Sequence, residues 1–296
     1  MEMNNYEAYY AQLYALAKEA LSHWMETQSA PEPVRSAMNY SLGAGGKRLR
    51  PMLVLAGCDL LQGDRAQAMG YACAIEMIHT YSLIHDDMPA MDNDDYRRGK
   101  LTCHKVYGEG MAILAGDGLL NSAFEVMAAH MQRFPENLPN HIRALAHIAR
   151  GAGIEGMIAG QCVDLVGTGD DAQSMTWLHR HKTGALITAA LLAGLQLAAP
   201  TPEQLEALRE FGYRLGLQFQ IVDDLLDVEG DAQTLGKATG SDAANQKTTY
   251  VTLYGSEKAR ELAREHSQAA VEALEIFGER AWFLRELTMR LLTREQ

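Results

Sequence analysis

The sequence has 296 residues, 47% of them hydrophobic, which is enough for one large domain or two ordinary ones. Its formal net charge of −12 at pH 7 argues against nucleic acid or an anionic membrane surface as the main partner. There is no run of 18 apolar residues and no pattern of a signal peptide at the start. We therefore predict a cytoplasmic chain with no transmembrane segment.

Apolar residues recur at helical spacing along the chain, and no stretch shows the alternation or the tight turns typical of strands. The stripe at 13–24 predicts a helix that ends before two prolines, and the stripe at 71–84 predicts one that leads into an acidic cluster. Further helices are predicted at 112–131, 139–166, 174–197, 203–228, 257–276 and 281–292, and loops at 41–46, 93–102, 134–139 and 230–245. We expect a single all-helical domain over residues 1–296.

Two aspartate clusters each follow an apolar run, where dense carboxylates are costly unless cations neutralise them. Asp223 and Asp227 are four positions apart and share one helix face. Asp86 and Asp92 are six apart, about 240° around a straight helix, but Pro89 lets the chain turn Asp92 back. Carboxylate ligands without thiolate or paired histidine favour Mg²⁺, with Mn²⁺ as a substitute. One cluster alone is typical of a solvated helix end, whereas two predict a shared metal site.

The sequence has two sets of basic residues. Lys47, Arg48 and Arg50 follow a glycine-rich stretch at 43–46, and Arg97, Arg98 and Lys100 follow the first acidic cluster. Glycine lets the backbone approach an anion closely, and arginine binds phosphate in a bidentate manner. Either set alone is typical of a solvated surface, but together with two acidic clusters they fit two diphosphates. His79 lies two helical turns before Asp86 on the same face, so it faces either that site or the core.

Several motifs resemble those of the trans-isoprenyl diphosphate synthases, in the order that is typical of that family. Besides both aspartate clusters they are Gly-Gly-Lys-Arg-Leu-Arg-Pro at 45–51, Arg-Arg-Gly-Lys at 97–100, Gly-Gln at 160–161 with Asp164, Lys-Thr-Gly at 182–184, Phe-Gln-Ile-Val-Asp-Asp at 219–224, Gly236-Lys237, and Gly240-Ser241-Asp242 with Lys247. The resemblance implies a single large bundle of mostly antiparallel helices around a deep central cavity, usually in a homodimer.

The resemblance also implies a role for each matching residue. Mg²⁺ would be held by Asp86, Asp92 and Asp223, with Asp87, Asp224 and Asp227 as further ligands or as groups that support them. The allylic diphosphate would be bound by Arg97, Lys182, Lys237 and Lys247. Isopentenyl diphosphate would be bound by Lys47, Arg50, His79 and Arg98. The carbocation would face oxygen dipoles of Thr183 and Gln220, which with Lys182 form the expected catalytic set.

The implied reaction joins dimethylallyl or geranyl diphosphate to isopentenyl diphosphate and releases pyrophosphate. Tyr81 and Ser82 stand five and four positions before Asp86, where a bulky ring would close the pocket for the growing chain. An aromatic residue here, with the expanded first cluster, resembles bacterial synthases whose product is (2E,6E)-farnesyl diphosphate. The alternative is a C20 geranylgeranyl product.

Two more distant alternatives have different requirements. A terpene cyclase shares the fold and the metal chemistry, but it needs only one diphosphate site. A regulatory subunit without catalytic activity would be expected to lack an aspartate cluster.

Overall fold

The computed structural model describes residues 5–167, 171–229 and 248–294. The α-helices of the first half are α1 (Tyr6–Thr27), α2 (Val34–Leu42), α3 (Leu49–Asp59), α4 (Arg65–Asp86), α5 (Cys103–Tyr107) and α6 (Glu109–Arg133). Those of the second half are α7 (Leu138–Ala152), α8 (Met157–Val166), α9 (Ala172–His179), α10 (Ala185–Leu197), α11 (Pro202–Glu229), α12 (Tyr250–Tyr254), α13 (Ser256–Ala273) and α14 (Trp282–Leu292). The all-α fold class is confirmed.

Polar side chains begin several helices by capping their free amide groups. Asp64 accepts a hydrogen bond from the Ala66 N–H at 2.9 Å where α4 begins. At the start of α11, Thr201 and Gln204 form reciprocal bonds between side chain and backbone, at 3.0 and 3.3 Å. These bonds satisfy donors that a first helical turn leaves unpaired, so the helix starts are fixed locally.

α10 is the most deeply buried helix among the described elements and the centre of the bundle. Every residue from Leu186 to Leu197 is buried, and the helix packs against α3, α7 and α11. At the crossing with α3, a Cβ on Gly194 would lie 1.9 Å from the Val54 carbonyl oxygen. The two backbones therefore approach closely only because position 194 is glycine. α4 in turn packs against both α3 and α6.

The predicted helix at 139–166 is wrong, because the chain forms two helices there. α7 ends at Ala152 and α8 begins at Met157, and between them Gly153 and Gly156 have backbone angles outside the helical region. Apolar spacing continues across the break since both helices bury one face, and this hid the turn. The predicted helix at 174–197 is interrupted differently, by a π-helical turn at Arg180–Gly184.

The expected loops also contain structure. Two short antiparallel strands, β1 (Tyr96–Arg97) and β2 (Lys100–Leu101), form a hairpin in the predicted loop 93–102. Its two connecting residues, Arg98 and Gly99, both have positive φ, the combination that suits a tight hairpin. The expectation of no strands was therefore wrong here. A 3₁₀ turn occupies Pro135–Asn137 and another covers Glu275–Ala281, while the predicted loop 230–245 lies outside the described residues.

Among the described helices, α6 is long and apolar enough by composition to cross a membrane. Its buried residues Ala112, Leu119 and Met127 lie in the main hydrophobic core, and the helix packs along α4. A core helix of a bundle meets the same criterion of length and apolarity, so this is weak evidence for a span. The absence of a transmembrane segment stays a prediction.

Candidate active site

The first aspartate cluster lies where α4 ends. The helix stops at Asp86, and the Asp92 N–H donates to the Asp86 carbonyl oxygen at 2.9 Å. The turn that contains Pro89 thus brings Asp92 back to the end of the helix, as we predicted from the spacing. From α8, the Gln161 side-chain amide donates to Asp86 Oδ1 at 2.5 Å. A side chain of α8, far from α4 in sequence, therefore holds this carboxylate.

Asp87 is the partner of Arg97. Its side chain is 5% exposed, and the Arg97 Nε and Nη2 atoms lie 2.7 and 2.5 Å from Oδ1. Burial raises the pKa of Asp87, although the hydrogen bonds from Arg97 oppose that shift. In Arg97, burial lowers the pKa, but the hydrogen bonds to Asp87 and the negative charges of Asp87, Asp86 and Asp94 together outweigh it and leave the pKa raised. Asp87 thus orients a cation beside the first cluster.

The second cluster lies in the last part of α11. Asp224 and Asp227 are buried, and Asp224 accepts the Tyr250 N–H at 2.9 Å and the Gln220 amide at 3.0 Å. The bond from Tyr250 ties α11 to the start of α12, and the bond from Gln220 lies within α11. Asp223 is 36% exposed, and Arg294 donates to its Oδ1 at 2.5 Å. Within the described residues, Asp223 is therefore the most accessible carboxylate of this cluster.

The basic residues near α3 and α4 form one pocket wall. Arg50 Nη1 lies 3.2 Å from His79 Nε2. Burial lowers the pKa of His79 well below its ordinary value, and the charges of Arg50 and Arg98 lower it further. The imidazole is thus neutral at pH 7 and accepts from Arg50. Burial also lowers the pKa of Arg50, to about 10, which still leaves it charged at neutral pH.

A glycine turn carries the other basic groups. Gly45 and Gly46 have φ of 86° and 113°, which glycine adopts without strain. The Arg98 guanidinium donates to the Gly45 carbonyl oxygen. A Cβ on Gly46 would lie 2.6 Å from Arg98 Cζ, so the turn must be glycine for Arg98 to dock. Burial and the charge of Arg294 lower the pKa of Lys47, which lies near the second acidic cluster.

Arg48 and Glu76 form a buried ion pair beneath this wall, which the sequence reasoning missed. Arg48 Nη1 lies 2.6 Å from Glu76 Oε1, and Nη2 lies 2.6 Å from the Leu42 carbonyl oxygen. Arg48 also has a positive φ of 48° just before α3. Since Glu76 is three residues before His79, the pair joins the glycine turn to the helix of the basic wall.

The π-helical turn places two of the expected catalytic residues. Lys182 Nζ donates to Asp164 on α8 at 2.6 Å, and Thr183 Oγ1 donates to Gln220 Oε1 on α11 at 3.1 Å. The backbones of α8 and the turn lie close together: a Cβ on Gly160 would be only 2.2 Å from the backbone nitrogen of Lys182. A π-turn inserts one residue into a helix, a distortion that is frequent at functional sites.

Residues of α3, α4, α6, α8 and the π-turn line a cavity of about 580 Å³, whose lining is largely apolar and includes no residue of α11. Its lining includes these polar groups of the expected site: Arg50, His79, Asp86, Gln161, Lys182 and Thr183. Tyr81 and Ser82 also line it, as do Leu120, Met157 and Leu165. The sequence-predicted residues of α4 and of the π-turn therefore meet in one cavity. Lys237 and Lys247 lie outside the described residues.

No group of three or more His, Cys, Asp or Glu side chains converges as a metal site in 5–167, 171–229 and 248–294. The carboxylates instead occur in two sets, one at the end of α4 and in the turn after it, and one on α11. Such a donor set fits Mg²⁺, which typically takes one or two carboxylates and completes its shell with water and substrate phosphates. Asp86, Asp92 and Asp223 are the residues that would hold it.

The fold and site define an enzyme class: a helical bundle with two carboxylate clusters, a set of cationic side chains and an apolar cavity suits the transfer of isoprenoid groups from diphosphates. Residues 31–276 match the family model described as Polyprenyl synthetase. The chain belongs to this family, and it is a trans-prenyl diphosphate synthase, a transferase.

Two relatives that are named for different products have the same sequence identity to this chain. The farnesyl diphosphate synthase of Geobacillus stearothermophilus is 47% identical over 254 residues, 85% of each chain. The chloroplastic geranylgeranyl pyrophosphate synthase of Capsicum annuum is also 47% identical over 254 residues, 84% of this chain and 68% of that one. A solved geranyltransferase of Legionella pneumophila has a TM-score of 0.85 at 36% identity, over 98% and 97% of the two chains. Identity alone does not separate C15 from C20 products.

Proposed function

We propose that this chain makes farnesyl diphosphate from dimethylallyl or geranyl diphosphate and isopentenyl diphosphate. The proposal of a C15 product rests on the position of Tyr81, which is 7% exposed and lines the cavity. It stands five residues before Asp86, about 7.5 Å along the helix axis. Its ring packs edge-on against His85, with centroids 5.8 Å apart. A fixed ring at this depth supports its role as the floor of the pocket.

At the ionisation end, Asp86, Asp92 and Asp223 hold Mg²⁺ in this proposal. When bound, Mg²⁺ supplies positive charge that stabilises the leaving pyrophosphate. Arg97, fixed by Asp87, and Lys182, fixed by Asp164, add direct cationic contacts to the same diphosphate. Lys237 and Lys247 complete the proposed set by sequence resemblance.

Thr183 and Gln220 orient one another next to the cavity. Because the Thr183 hydroxyl donates to Gln220, its oxygen lone pairs are free to face a developing allylic cation. The apolar lining excludes water, which would otherwise capture the cation. Lys47, Arg50, His79 and Arg98 hold isopentenyl diphosphate in this scheme. Its double bond attacks the cation, and the departing pyrophosphate takes the proton, so no side-chain base is required.

The C20 product remains the second candidate, since a named geranylgeranyl synthase is as similar as a named farnesyl synthase. Below Tyr81, α4 continues with buried apolar residues, so a smaller residue at 81 would leave room for a longer chain.

We also propose a homodimer in the cytoplasm. The support for a dimer is four apolar side chains that are exposed on α6 and α7: Ile113, Leu114, Leu138 and Ile142.

The reaction class and the metal role are tested together by isopentenyl incorporation with and without Mg²⁺. We expect incorporation that is lost with a chelator and restored by Mg²⁺. Asp86→Asn and Asp223→Asn should each reduce the rate at least about a hundredfold. Asp64→Asn, at the distant start of α4, is the matched control and should keep its rate. Equal rates in all three variants would refute the metal assignment.

A further inference from the structure

Arg294, two residues beyond α14, reaches across to the second aspartate cluster. Its Nη2 atom lies 2.5 Å from Asp223 Oδ1 and 3.0 Å from the Phe219 carbonyl oxygen. The guanidinium also stacks on the Phe219 ring, with Cζ 4.0 Å from the ring centroid. Only 9% of the side chain is exposed. The contact is therefore a packed arrangement and not a loose surface pair.

Arg294 depends on Asp223 for its charge balance. Burial lowers the pKa of Arg294, and the charge of Asp223 opposes that shift. The Arg294 Nε atom is buried without a hydrogen-bond partner, so the guanidinium is incompletely satisfied. Lys47 lies close enough for the two cations to repel one another. Among the described residues, Asp223 is thus the ion-pair partner of the Arg294 guanidinium.

A divalent cation would compete for the same carboxylate. Mg²⁺ binds carboxylate oxygen at about 2.1 Å, which would put it within about 5 Å of the Arg294 guanidinium. A divalent and a monovalent charge at that separation repel strongly enough to weaken binding at least tenfold even in a water-like dielectric, by an order-of-magnitude estimate. Both cations cannot keep their best positions on Asp223.

We propose that Arg294 occupies Asp223 as an internal counter-cation, which a divalent metal must replace when it loads. The inference rests on the proposed role of Asp223 as a metal ligand. Arg294 then acts as a positioning residue: it holds the carboxylate in place without metal, and it lowers the affinity of the free chain for metal. A diphosphate lowers this barrier, because its negative charge attracts both the metal and the released guanidinium.

The test is a titration of the purified chain with Mn²⁺ in the absence of substrate. Binding is measured by electron paramagnetic resonance, as the loss of the signal of free Mn²⁺. Arg294→Gln should bind Mn²⁺ about tenfold more tightly than the wild type, and Arg294→Met should do the same while preserving the packing on Phe219. Arg290→Gln is the matched control. It lies on α14, is 46% exposed and pairs with Glu7 and Glu286, so its titration should match the wild type.

Unchanged or weaker Mn²⁺ binding in both folded Arg294 variants would overturn the inference. Asp223→Asn separates this failure from that of the proposed metal site. If Asp223→Asn weakens Mn²⁺ binding while the Arg294 variants match the wild type, only the counter-cation role fails. If Asp223→Asn itself leaves the titration unchanged, the metal role of Asp223 fails. In the double variant, the gain from Arg294→Gln should disappear.

Discussion

Replacing Tyr81 by alanine should lengthen the product by one isoprenoid unit. Tyr81 lines the cavity, and the residues one turn earlier on α4, Met77 and Ile78, are fully buried. Removing the ring opens about one helical turn, or 5.4 Å. An isoprenoid unit adds four carbon–carbon bonds, about 5 Å when extended. The space gained therefore suits C20, and the buried residues below should prevent further growth.

The assay supplies geranyl diphosphate with excess isopentenyl diphosphate, then hydrolyses the products and separates the alcohols by chain length. Tyr81→Phe is the matched control, because it keeps the ring and loses only the hydroxyl, so it should keep the wild-type product. The alanine variant should also be less stable, by about 2–4 kcal/mol, since a large core side chain is removed. An unchanged product from Tyr81→Ala, or a longer one from Tyr81→Phe, would refute the role of the ring as the floor.

Three other predictions concern the support of the site. Gly160→Ala should displace the π-turn and lower kcat by up to about a hundredfold, whereas Gly110→Ala, with no atoms within 4 Å of its added Cβ, should be silent in the same assay. Arg48→Met should cost about 3–5 kcal/mol in urea unfolding by leaving Glu76 buried without its partner; a loss below about 1 kcal/mol would contradict this. The free energy of unfolding should fall as the pH falls below about 6.5, because the unfolded chain then binds more protons than the folded chain, and a flat profile from pH 7.5 to 5.5 would oppose that reasoning. The last effect comes from histidines whose pKa burial lowers: His79, His130, His141, His147, His179 and His266.

Helix geometry and the position of Pro89 predicted the turn at the first aspartate cluster well. The angular mismatch between Asp86 and Asp92 required a break, and the hydrogen bond from the Asp92 N–H to the Asp86 carbonyl oxygen closes it. The all-helical class also followed from spacing that persists along the chain.

Features that depend on distant contacts could not be read from the sequence. The π-turn shifts the helix register by one residue, which a 3.6-residue period does not reveal, and its position becomes clear only from the contact of Gly160 with Lys182. Arg294 lies 71 positions from Asp223 and in no motif. The Arg48–Glu76 pair likewise joins the turn before α3 to α4, so only the packing of α3 on α4 could disclose it.

The most direct test of the account is the chain length that the unmodified protein produces. With dimethylallyl diphosphate, excess isopentenyl diphosphate and Mg²⁺, we predict a product that yields a C15 alcohol after hydrolysis and chromatography. A dominant C20 alcohol would contradict the assignment of Tyr81 while leaving the reaction class intact. No incorporation of isopentenyl diphosphate under these conditions would contradict the proposed function as a whole.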